Sequence, residues 1–223
     1  MKTYKNTVKL LFFSFLFLSF HQWGLAQKLK EGTLENHVHL LFGLTQPILV
    51  EGFNIEGNLF WKRLAVDYSH GISLDLKGDV VSNAMKEQHL AAHIPFSTGF
   101  GVGYRFNDWL NLRLEPKWHR FQIYYNGTDW ENGNLVTDYT TFSLGLGMYI
   151  NWRPFRKMNN FLKGIMLAPS IRFWPTIASS LPSNQVEYFN RVTNQVETHH
   201  RQEIGIANTP LIVNISIGYS LSF

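Results

Sequence analysis

The chain has 223 residues, with 20 basic and 16 acidic side chains and a sequence pI near 9.2. Lys2, Lys5 and Lys9 fall in a leading segment; without it, 17 basic residues face 16 acidic ones. A chain this close to neutral, with no basic excess to cluster on one face, is not built as a nucleic-acid binder. The absence of cysteine excludes a disulfide-held fold and leaves packing and backbone pairing to supply stability.

Residues 1–26 read as a secretory signal peptide. Three lysines precede the apolar run 10–20, and Gly24-Leu25-Ala26 offers small residues for cleavage before Gln27. A spanning helix needs roughly 20 apolar residues, so the run is too short to act as an anchor. No later apolar run is long enough either. An exported membrane protein without such helices has to close its backbone hydrogen bonds in a barrel.

Residues 27–223 form one domain in this reading, opening with a polar leader to about Asn36. A first strand at 37–44 sets Val38, Leu40, Phe42 and Leu44 on one parity, with Leu41 breaking the alternation. After Thr45-Gln46-Pro47, a turn signal, a second strand covers 52–60. Trp61-Lys62-Arg63 reverses the chain into a third at 64–74, where His70 falls on the apolar parity. The polar stretch 75–95 reads as a surface connection, which a short helix over 80–92 would suit equally.

The fourth strand, 96–106, alternates Phe96, Thr98, Phe100, Val102, Tyr104 and Phe106 with Ser97, three glycines and Arg105. Its G-x-G-x-G run lacks the spacing and the strand-to-helix context of a dinucleotide fingerprint. The glycines instead leave room for large side chains opposite. A fifth strand follows at 109–125, in which the apolar parity passes from Leu110, Leu112 and Leu114 to Phe121, Ile123 and Tyr125. That predicts a bulge near 116–119. The loop 126–137 leads to a sixth strand at 139–152, a turn at 154–160 to a seventh at 162–174, and the long polar connection 175–208 to an eighth at 211–223. The eighth alternates Val213, Ile215, Ile217, Tyr219, Leu221 and Phe223 with Asn214, Ser216, Gly218, Ser220 and Ser222.

Eight strands with short links after the second, fourth and sixth, and long ones after the third, fifth and seventh, fit an all-β, eight-stranded antiparallel up-and-down transmembrane β-barrel. A soluble lipocalin-type barrel would carry the same periodicity with its faces exchanged. The signal peptide, the terminal Phe and the loop asymmetry favour the membrane alternative. The chain resembles the small eight-stranded outer-membrane proteins of Gram-negative bacteria, the group of the OmpA transmembrane domain and OmpX. The terminal G-Y-S-L-S-F at 218–223 is similar to the signal by which the barrel assembly machinery recognises such clients. The resemblance implies residence in the outer membrane among lipid and lipopolysaccharide, with loops 75–95 and 175–208 facing outward. It carries no activity.

Charged residues on the inward parity are Glu56, Asp67, Arg105, Arg113, Glu115, Lys117, Arg153 and Arg172. An eight-stranded interior is just wide enough for side chains, so these are expected to pair as a plug rather than to line a proton or ion path. His37 and His39 share a strand face and His199-His200 lies in a loop, but no third ligand is fixed, so no metal is assigned. Small barrels that remodel lipid A include deacylases with a His-x-Ser motif facing the membrane. The nearest serines to His70, Ser69 and Ser73, sit on the opposite parity and miss that motif. We therefore expect a non-enzymatic barrel, with no catalytic residue, cofactor or metal assigned. A deacylase-like enzyme and a narrow channel are the alternatives.

Overall fold

The computed structural model describes residues 34–131 and 134–223; the signal peptide expected over 1–26 lies outside them. Alternating segments pair in sequence order: β1 (His37–Gly43), β2 (Phe53–Trp61), β3 (Leu64–Leu76), β4 (Leu90–Arg105), β5 (Leu110–Tyr125), β6 (Leu135–Ile150) and β7 (Ile165–Phe173). After β8 (Thr176–Ser179) and the hairpin β9 (Gln185–Asn190) and β10 (Gln195–His200), β11 (Leu211–Ser222) returns between β7 and β1. With His37 opposite Ser222, and β5 paired to β6, the sheet closes on itself. Leu146 faces Phe173 and Ser143 faces Thr176, so β8 continues the register of β7 on β6 before slipping by one residue at Phe142–Ala178, and the two form a single barrel strand interrupted at Trp174-Pro175. Eight antiparallel strands complete the ring.

The faces decide between the two barrel types. Leu40, Tyr68 and Leu114 point outward at 64%, 57% and 52% exposure, while Glu56, Arg113 and Lys117 are buried inside at about 1%. Burying charge while exposing an apolar belt is favourable only where the outside medium is lipid. The protein is a transmembrane β-barrel, as its alternation predicts. Among the described residues no helix is long and apolar enough to cross a membrane.

Three details differ from the sequence reading. The strand β5 carries no bulge at 116–119, because its register on β6 runs unbroken from Leu110–Ile150 to Ile123–Thr137. The apolar residues Phe121, Ile123 and Tyr125 stay on the inward parity, and the interior itself changes from polar to apolar. The irregularity lies instead on the neighbours: β4 slips between His93 and Ser97, and Ser73 of β3 turns through a left-handed φ of 54°. Those kinks swing Leu74, Ile94 and Ala92 inward to meet Phe121.

The second difference is in the long connections. Residues 75–95 hold the upper ends of β3 and β4 and a helix α1 (Asn83–Glu87), whose capping Ser82 accepts from Met85 N at 3.2 Å. Residues 175–208 supply β8 and the β9–β10 hairpin. Together these segments fold over the barrel mouth as a cap. Leu74, Met85, Leu90, Ile94, Phe121, Ile123, Tyr139 and Leu181 form its buried apolar core. Third, the link after β6 is not short: residues 151–164 make an excursion at the end where β1 begins and β11 ends.

Candidate functional site: the charged lumen and its cap

Strand pleating fixes who meets inside. Glu56 and Asn58 come from β2, Asp67 and Ser69 from β3, Asn111, Arg113, Glu115 and Lys117 from β5, Tyr149 from β6, and Ser170 and Arg172 from β7. Arg113 is the hub. Its guanidinium donates to Glu56 Oε1 and Asn58 Oδ1, both at 2.8 Å, and to Asn111 Oδ1 at 2.7 Å. It also stands 3.2 Å from Asp67 and 3.9 Å over the Tyr149 ring. Arg172 donates to Glu56 Oε2 at 3.2 Å and to Ser170 Oγ at 3.1 Å.

Glu115 holds the third carboxylate. It accepts from Tyr149 OH at 2.5 Å and from Trp174 Nε1 at 2.9 Å, with Lys117 3.9 Å away. Lys117 donates to Ser69 Oγ and lies 4.8 Å over Trp174. Trp174 reaches this position because it continues the inward parity of Ser170 and Arg172 and because Gly145 leaves the space of the indole free, where a Cβ would collide with it. The expectation for the fourth-strand glycines holds as well, since a Cβ at Gly101 would collide with Asp67.

Three carboxylates thus balance three cations in a space filled by side chains. Each charge has hydrogen-bond or ion-pair partners, the condition under which buried charge is tolerated. Six of the eight predicted inward charges belong to this plug. The other two, Arg105 and Arg153, sit at the rim near the termini of the barrel. Arg105 donates to Asp108 Oδ1 and to the Glu35 carbonyl, each at 2.5 Å.

The histidines do not gather. His37 and His39 are buried with rings 5.7 Å apart, and Arg153 stands 3.5 Å from His37, a neighbour that disfavours a metal cation. His199 and His200 point to opposite faces of the hairpin. Among the described residues no three metal-ligating acids or histidines converge. His70 is half-buried on the lipid side, parallel to Tyr68 at 6.5 Å, and its Nδ1 has no hydrogen-bond partner. Ser69 is turned inward to Lys117.

Two groupings escaped the sequence reading. Ser97 Oγ lies 2.8 Å from His119 Nδ1 on adjacent lumen walls, yet His119 Nε2 has no partner to orient the ring, and the pair is shut between the plug and the cap. Ser97 falls on the inward parity in the sequence, but the bulge expected at 116–119 left the face of His119 unassigned, and the register of the pair was not visible. On the outer face of the cap, Tyr124 OH donates to Asp75 Oδ1 at 2.9 Å, Lys77 to Asp75 Oδ2 at 3.2 Å, and His93, stacked on Trp130 at 4.2 Å, lies 3.6 Å from Asp75. This clamp ties together β3, β4, β5 and the loop after β5.

The cap is poised to weaken in acid. Burial against Tyr139 OH, 3.4 Å from Nε2, and then the neighbouring His200 lower the pKa of His199 to about 4. The folded cap keeps His199 neutral, whereas an undocked hairpin would protonate it near 6.5. Its contribution is therefore complete above about pH 6.5 and is lost as pH falls toward 4, a change of about 3 kcal/mol. Burial pushes the Asp75 carboxyl up, but hydrogen bonds from Tyr124 and Lys77, with His93 beside them, hold it below its ordinary value, so acid removes that clamp too. The protection factors of the β9–β10 amides, with the intrinsic exchange rate at each pH divided out, are expected to fall between pH 7.5 and pH 5, while those of β5 stay high.

Fold and lumen together define a small, plugged, eight-stranded barrel with the architecture of the small outer-membrane proteins. No protein-family model and no curated protein matches the chain. Among solved structures it is similar to Ail, the attachment invasion locus protein of Yersinia pestis, in complex with the heparin analogue sucrose octasulfate. The identity there is 12%, covering 84% of this chain and 100% of that one, with a TM-score of 0.43. It is similar also to a major outer membrane protein from Thermus thermophilus, at 10% identity, 84% and 98% coverage and a TM-score of 0.43.

Proposed function

We propose that this chain is a non-enzymatic outer-membrane β-barrel that acts through its folded cap, contacting a partner outside the cell or stiffening the membrane surface. In this reading the belt meets outer-membrane lipid and lipopolysaccharide, and the strand β11 hands the chain to the barrel assembly machinery. The double closure of the lumen carries the proposal. The charge-balanced plug occupies the middle with side chains that are almost fully buried, and the apolar core around Phe121 covers the mouth. On the lipid side, His70 Nδ1 has no hydrogen-bond partner and the neighbouring Ser69 is turned inward to Lys117, which favours this reading over an acyl-transfer enzyme.

Two measurements test this. Planar bilayers containing the folded protein are expected to show no conductance steps, and lipid A from cells with and without the protein is expected to give the same mass spectrum. Discrete steps would establish a channel. Loss or gain of an acyl chain would establish an enzyme.

A further inference from the structure

The charges of the barrel are sorted along its axis. At the end where β1 starts and β11 finishes, residues 34–36, 62–63, 105–109 and 151–164 hold seven basic and two acidic side chains. The plug is neutral. At the capped end, residues 44–52, 74–95, 120–140 and 174–210 hold five basic and ten acidic ones. Of the two acids of the basic end, Asp108 pairs with the buried Arg105, and Glu35 is exposed 3.6 Å from His37. Lys62, Arg63, Lys157 and Lys163 are exposed, and among the described residues none is in an ion pair.

These cations sit within an aromatic girdle. Lys62 lies 5.6 Å over the Trp61 ring and Arg63 5.6 Å over Tyr104, both rings being exposed on the outer wall. The excursion 151–164 repeats the combination, with Phe155, Met158 and Phe161 exposed beside Lys157 and Lys163. It is pinned to the wall where Tyr219 OH donates to the Phe161 carbonyl at 2.7 Å. Aromatic and aliphatic side chains held next to cations at a barrel rim match one environment, the head-group layer of a bilayer.

We propose that this rim is a binding surface for anionic phospholipid head groups, with Lys62, Arg63, Lys157 and Lys163 contacting the phosphates and the girdle seated among the upper acyl carbons. The proposal rests on the membrane reading above. It is directional: the opposite, acidic end offers no such attraction.

The test folds the protein into vesicles of phosphatidylcholine alone or mixed with phosphatidylglycerol, using brominated chains of either lipid to quench tryptophan fluorescence at contact. Wild type is expected to favour brominated phosphatidylglycerol by about fivefold for each cation engaged, and high salt to erase the preference. The variant Lys62→Gln/Arg63→Gln/Lys157→Gln/Lys163→Gln is expected to insert normally and to quench equally with both lipids. Insertion with equal quenching of wild type, or a preference that survives in the variant, overturns the lipid site alone. Failure of wild type to insert into either vesicle overturns the membrane reading on which it rests.

Discussion

Replacing Arg113 with Met is expected to destabilise the folded barrel by about 3–5 kcal/mol. The substitution keeps much of the volume over Tyr149 and removes the cation. Glu56 and Asp67 would then face each other across a dry interior, and Asn58 and Asn111 would lose their donor. The penalty comes from the charge left behind rather than from the value of the bond itself, which supplies an internal control. Adding Glu56→Gln to Arg113→Met is expected to recover a large part of the loss, although Glu56→Gln alone weakens the hold on Arg172. Urea titrations of the heat-modifiable folded form in detergent would measure all three. If Arg113→Met unfolds at the wild-type urea concentration, the plug is not a stabilising network.

The Phe121→Ala exchange should cost about 3–5 kcal/mol in a different place. The ring is fully buried, stacked on Tyr139 at 5.4 Å, in the core shared by β3–β6, the helix α1 and the segment leading into the hairpin. The membrane-embedded pairs of β5 do not include it. The expected outcome is therefore a split: the heat-dependent gel shift of the barrel persists, while added protease cuts within 180–205 far sooner than in wild type. Equal protection of those residues in the two proteins would mean that the cap does not depend on this core.

The contrast between these two sites also marks what the amino-acid order made legible. In β4 and β11, Phe, Val, Ile and Tyr alternate with Gly and Ser, a maximal contrast, so strand phase and face could be read directly. The inward parity then delivered all six plug charges. Their pairing was hidden, because alternation fixes which face a residue takes but not the register that brings Arg172 to Glu56. Trp174 was hidden for a related reason: it shares the inward parity of Ser170 and Arg172, but the gap over Gly145 that admits its indole depends on register. The cap was misread at Phe121. A change of apolar parity can come from a slipped backbone or from a change in the medium inside, and the pattern is the same for both. The neighbouring strands decide, and it is Ser73 and the His93–Ser97 slip that carry the kink.

The geometry of the plug has a bearing on how the chain reaches this state. Glu56 and Arg113 are 57 residues apart, Glu56 and Arg172 are 116 apart, and His37 meets Ser222 only when the ring is shut. A partly built sheet holding β2 and β3 would carry Glu56 and Asp67 without their cations, and one holding β5 alone would carry Arg113 and Lys117 with only Glu115. Local hairpins can form quickly, and β3–β5 alone already sets two acids against two bases, but Glu56 reaches Arg172 only across the ring, so the rate should be governed by that long-range step. Closure is then the step that gives Glu56 its second cation.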